Sequence, residues 1–154
     1  MLFAAAALRW LGHRPLVVDI RARNDDDHVI AVFMTNKRWG AIAKSNFTTL
    51  RFREPVYKSI RELIMSYFDF YYNTLGEKTL RSYSLPFDLR RFDDRHWMTT
   101  DEDLEYIGSH LNQIRHFKAI TPRMARLLHK VDKDVSRAGL FGSNKFGLFR
   151  PKRK

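Results

Sequence analysis

No cysteine occurs among the 154 residues. That excludes disulfides, thiolate metal sites and any thiol nucleophile encoded between Met1 and Lys154. Long apolar runs are also missing, since a membrane helix needs roughly 18–20 consecutive apolar residues. The longest N-terminal run, 2–8, is broken by Arg9 and has no basic region before it, unlike a secretory signal. The expectation is a cytoplasmic protein without membrane insertion. There is no Gly-rich phosphate loop and no serine in a nucleophile elbow. Acids are the minority charge, with 17 Asp+Glu against 28 Lys+Arg and a net charge of +11.

What is present suits one globular domain. Hydrophobic residues make up 44% and charged residues 29%, a composition that buries a core rather than staying disordered. The positive charge is uneven: residues 122–154 hold ten Lys/Arg and two Asp, a net of +8. The chain therefore divides into a body, 1–121, and a basic helix and tail, 122–154.

The segment 2–11 has four consecutive alanines, then Gly12 and Pro15, the order of a helix and its stop. It is apolar nearly all round until Arg9, which predicts a central helix. Leu16-Val17-Val18-Asp19-Ile20 predicts a buried strand. Strands 28–34 and 39–43 flank the reversal 35–37 and predict an antiparallel hairpin. That hairpin sets His28 opposite 43–45. Apolar positions recur at three and four over 55–72 and predict a helix. A short strand follows at 79–84 and an irregular loop at 86–97. A capped helix is expected from Thr100 to about Gln113, and a last one opens at Thr121-Pro122. After Gly139 the chain is expected to be extended. This order predicts an α+β fold: an antiparallel sheet packed on a small-residue central helix, followed by a helical C-terminal part.

His28 is the most suggestive single residue. It opens a strand after Asp25-Asp26-Asp27 and faces polar Ser45 and Asn46 across the hairpin. A neutral imidazole oriented by an amide is the general-base half of a nucleophilic site; the plainer alternative is a strand-end histidine satisfied by a turn aspartate. The three aspartates lack the glycine and closing glutamate of a calcium loop and read as a solvated turn. His96, His110, His116 and His129 lack zinc spacing and read as surface or helix-face residues. Neither a metal nor a cofactor is expected. The aromatics of 57–72 read as core. The tail interleaves Phe146 and Phe149 with Lys145, Arg150, Lys152, Arg153 and Lys154, a pattern open to RNA, to an acidic protein or to solvent.

The run 2–9, closing on Leu8-Arg9 with Gly12 and Pro15 after it, resembles the central helix of transglutaminase-like, papain-related cysteine proteases. In that superfamily a histidine opens a later strand, as His28 does, and a tryptophan marks the return strand, as Trp39 does. Asp25 to Phe33, Trp39-Gly40-Ala41-Ile42 and Lys44-Ser45-Asn46 resemble a bacterial branch of such proteins. So do 51–57, Arg61-Glu62-Leu63, Met65-Ser66-Tyr67-Phe68 and 78–84, and the likeness covers about 2–92.

The resemblance implies acyl transfer to, or hydrolysis of, a peptide, amide or ester. Cysteine would attack, His28 would act as base, and Asn46 or Ser45 would orient it. Two departures stand out. Ala43 occupies the place of the usual orienting aspartate. The nucleophile would fall about four residues before Met1, at the helix N-terminus, where the dipole lowers a thiol pKa. Either the chain starts inside a longer protein with the complete site, or the scaffold is kept for binding without a nucleophile. Entry into a buried helix without a cap favours the first. The chain alone is expected to be inactive in thiol chemistry. The alternative expectation is a non-enzymatic binding or assembly protein that uses its basic C-terminal tail for RNA or an acidic partner.

Overall fold

A computed structural model describes residues 1–152. Its centre is the β-branched run near the N-terminus, β1 (Leu16–Ala22), which pairs antiparallel with β2 (His28–Thr35) on one side and β5 (Leu80–Ser84) on the other. With β3 (Arg38–Ile42), β4 (Phe52–Tyr57) and β7 (His116–Lys118), the sheet order is β4-β3-β2-β1-β5-β7. The two-residue β6 (Phe87–Asp88) also pairs with β1. The fold is α+β with an antiparallel sheet, as the order of elements predicts.

Alternation along the central strands sends side chains into two cores. Leu16, Val18, Ile20, Ile30 and Val32 face one side, where they meet α2 (Ile60–Met65), Tyr67 and Tyr71. Val17 and Ala31 face the other, against α1 (Leu2–Trp10), α3 (Glu105–Gln113) and Trp97. The β2–β3 hairpin closes through Asn36 and Lys37, both with positive φ, between the paired Thr35 and Arg38. That is the two-residue turn whose twist matches the strands. Gly40 is required where it stands: a Cβ there would lie 2.5 Å from the Phe33 ring and 2.9 Å from the Arg53 carbonyl.

Three expectations need correction. The helix predicted over 55–72 is instead a strand, one short helix and a 3-10 turn at Phe68–Phe70. Ser59 sets the true start: its Oγ accepts from the Glu62 amide while the Glu62 carboxylate accepts from the Lys58 amide. This capping pair lies inside the apolar period and resets the backbone. Pro55 has no amide to donate and sits on the edge strand β4. Second, α1 is not enclosed on all sides. It buries Ala5 and Leu8 against the sheet, while Phe3 is 90% and Trp10 89% exposed. A uniformly apolar helix gives no moment to mark the face that packs. Third, the helix expected from Thr100 begins at Glu105, because Thr100 and Asp103 cap local turns at Glu102 and Glu105.

The C-terminal part contains α4 (Pro122–Arg126), capped by Thr121 as expected, and α5 (Lys133–Gly139), capped by Asp132. Tyr72 donates its hydroxyl to the Val135 carbonyl and Thr48 donates to the Ala138 carbonyl. Both bonds fasten α5 to the body. Among the described residues no helix is long and apolar enough to cross a membrane.

Candidate functional site

His28 stands at the first position of β2, paired with Ile20 of β1. Extending the β2–β3 register from Ala31 opposite Ile42 brings Ser45 opposite His28. His28, Lys44, Ser45 and Asn46 line one cavity of about 200 Å³, together with Tyr71 and Phe149. The three residues singled out from the sequence therefore gather at one place.

Burial holds the His28 imidazole neutral, pushing its pKa down to about 4, with the nearby amino group of Met1 adding to the effect. Its Nε2 is buried and has no hydrogen-bond partner in the protein. The amino end of α1 lies at the same corner. The Met1 sulfur accepts from the Lys44 amide at 3.2 Å, and burial beside Lys44 lowers the pKa of the Met1 amino group. A half-buried neutral base next to a helix N-terminus can take a proton from a group held at that terminus.

Neither Ser45 nor Asn46 is hydrogen-bonded to His28. Ser45 Oγ accepts from the Phe47 amide at 3.0 Å. The Asn46 amide donates to the Gly147 carbonyl at 2.8 Å and accepts from the Asn144 amide at 3.2 Å. Asn46 thus clamps the C-terminal segment rather than orienting the histidine. The segment is not simply extended: it makes a 3-10 turn at Lys145–Gly147, and Leu148 and Phe149 lie in the cavity wall. Its far end is held by Asn24, whose side chain accepts from the Lys152 amide at 2.8 Å and donates to the Lys152 carbonyl at 3.0 Å. The basic pattern continues to Arg153 and Lys154, which lie outside the described residues.

The aspartate turn is wired into the fold. Asp25 accepts from the Thr79 hydroxyl at 2.7 Å, Asp27 accepts from the Ala22 amide at 2.7 Å, and Tyr71 donates to the Asp26 carbonyl at 3.0 Å. Burial raises the Asp25 pKa despite the Thr79 bond. The Asp25 and Asp27 carboxylates serve different partners, and Asp26 is held through its backbone. Among the described residues no group of three or more His, Asp or Glu is arranged to hold a metal ion.

A second polar cluster corrects the reading of His116. It lies on β7 with its side chain only 7% exposed, and its Nε2 is 2.8 Å from Asp19 Oδ2. Its Nδ1 is 2.8 Å from the Ile114 carbonyl. Asp19 also donates its amide to the buried Ser84 hydroxyl. Burial raises the Asp19 pKa, opposed by the His116 contact. The signal for this pair was in the sequence: Asp19 is the one charge within the apolar run 16–20, and a buried charge needs a partner. Of the other histidines, His110 packs against Phe87 and Phe92, while His96 and His129 are exposed.

No protein-family model matches the chain, and no curated protein matches it significantly.

Proposed function

We propose that the cavity beside His28 is a transglutaminase-like, papain-related acyl-transfer site acting on a peptide, amide or ester. The thiol is supplied from ahead of Met1, at the amino end of α1. His28 takes the thiol proton as the sulfur attacks the carbonyl carbon. It then returns that proton to the departing amine or alcohol, and water or a second amine resolves the acyl-sulfur bond. The observation that carries this reading is the half-buried, neutral His28 with a buried, unengaged Nε2 beside the helix terminus. A reduced thiol fits a cytoplasmic location. Residues 1–154 contain no cysteine and by themselves are inactive in this chemistry.

The test begins with the coding sequence upstream of Met1. An in-frame cysteine codon about four positions earlier supports the proposal, and an in-frame stop codon before any cysteine overturns it. The extended protein should then label with iodoacetamide. Its amidase activity should fall about 10³-fold in His28→Ala.

The runner-up is a binding or assembly protein that uses the basic C-terminal tail for RNA or an acidic protein. Phe146 favours it, being 99% exposed beside Lys145. Deleting 140–154 should then abolish a binding that weakens steeply with salt. Unchanged binding by the truncated chain excludes the tail.

A further inference from the structure

A second cavity, about 670 Å³, opens where the end of β1 and the start of β5 meet the segment after α4. Arg23, Lys78, Arg81, Arg126, Lys130 and Lys152 line it. Among the described residues, the only acid in its wall is Glu77, whose side chain accepts from the Asn73 side-chain amide at 3.2 Å. Lys78 is paired with Asp69, outside the wall. Among the described residues, Arg23, Arg81, Arg126, Lys130 and Lys152 take part in no ion pair.

The sheet holds two of these charges together. Ala22 pairs with Leu80, and the Arg23 amide donates to the Thr79 carbonyl at 2.9 Å. Arg23, just past the end of β1, therefore lies opposite Thr79, two positions along the chain from Arg81, and both arginines line the cavity. Arg81 is fixed from behind, with one guanidinium nitrogen donating to the Lys78 and Leu80 carbonyls at 3.0 and 2.8 Å. Its Nε is buried and has no hydrogen-bond partner in the protein. Burial and the neighbouring Arg23 both disfavour the Arg81 charge. An anion in the cavity offsets the repulsion between Arg23 and Arg81, because it lies between like charges.

We propose that this cavity binds an oligophosphate, either inorganic di- or triphosphate or the phosphate tail of a nucleotide. Arginine forks engage phosphoryl oxygens in bidentate fashion, and several cations around one concavity match a multiply charged ligand better than a single carboxylate. The volume falls in the range of small-molecule sites. No Phe, Tyr or Trp lines it, so splayed nucleic-acid bases have no platform to stack on. The site does not depend on the His28 chemistry, and either reading can fail alone.

The test is calorimetric titration of the full chain, at about 0.15 M salt, with inorganic triphosphate, ATP and a uridine dodecamer. Triphosphate binding is expected. Comparable affinity for ATP identifies a site that reads phosphate alone, and much tighter ATP binding identifies a nucleotide; both support the proposal. The exposed pair Arg23→Gln/Arg126→Gln should weaken binding about tenfold with circular dichroism unchanged. Arg150→Gln, outside the cavity, should bind as the parent does. Failure of both phosphates to bind overturns the proposal. So does equal binding by the double variant, or binding of the dodecamer without binding of triphosphate.

Discussion

His116 Nε2 and Asp19 Oδ2 meet at 2.8 Å between β7 and β1, while the Ile114 carbonyl occupies the other ring nitrogen at 2.8 Å. Both ring nitrogens face oxygen atoms, which fixes the orientation of the imidazole. β5 separates these strands, and the pair spans it to tie the edge of the sheet to its centre.

Removing His116 leaves Asp19 buried with the more distant Arg21 guanidinium, at 3.9 Å, as its remaining cationic neighbour. His116→Ala is expected to cost about 3–5 kcal/mol in urea unfolding. Asp19→Asn retains an acceptor for the ring and should cost less. Equal losses in the two variants would show that an uncharged acceptor cannot replace the carboxylate.

The pH dependence of stability should report on His28. Its imidazole is held neutral in the folded chain down to about 4, whereas the unfolded group takes a proton near 6.5. The unfolded state therefore binds more protons in that window. Stability is at its full value above 6.5 and falls as pH drops toward 4, by up to roughly 3 kcal/mol from this group. His28→Gln should flatten that limb in unfolding measured at pH 4, 5, 6 and 7. A limb of the same slope in the variant would assign the loss to other groups.

Gly139 is the contact on which α5 seats. A Cβ there would fall 2.0 Å from the Tyr72 hydroxyl, the group that donates to Val135. Gly139→Ala should therefore destabilise the chain by about 1–3 kcal/mol. Tyr72→Phe in the same background should relieve part of that loss. Additive losses in the double variant would show that the clash lies elsewhere.

Asn46 and Asn24 hold the C-terminal segment at its two ends. Asn46→Ala should free the segment around Asn144 and Gly147. The readouts are faster amide exchange at 144–149 and earlier tryptic cleavage at Lys145, with the sheet amides unchanged. Unaltered exchange at 144–149 would mean that Leu148 and Phe149 hold the segment without the clamp.

The sheet and hairpin were legible because their signals are local. Alternation and β-branching mark β1, and Asn36 tolerates the positive φ that its turn demands. The false helix over 55–72 shows the limit: Tyr57, Ile60, Ile64, Tyr67 and Tyr71 keep a helical period while serving a strand, a helix and a 3-10 turn. The same core can be filled from different backbones, and only the Ser59–Glu62 cap distinguishes them. At the site, strand register brought His28 and Ser45 together from sequence alone. The use of Asn46 depends on a partner about a hundred positions away, and the pairing of Asp19 with His116 on a strand of three residues. Contacts so distant in sequence leave no periodic trace.

The C-terminal segment that walls the His28 cavity belongs to the same chain. A tethered wall is presented at an effective concentration of about millimolar order, whatever the protein concentration. The cavity therefore keeps this wall on dilution, and any ligand that enters meets Leu148 and Phe149 as part of its binding surface. Cutting the chain between Asn46 and Asn144 turns the wall into a separate fragment that dilution can remove.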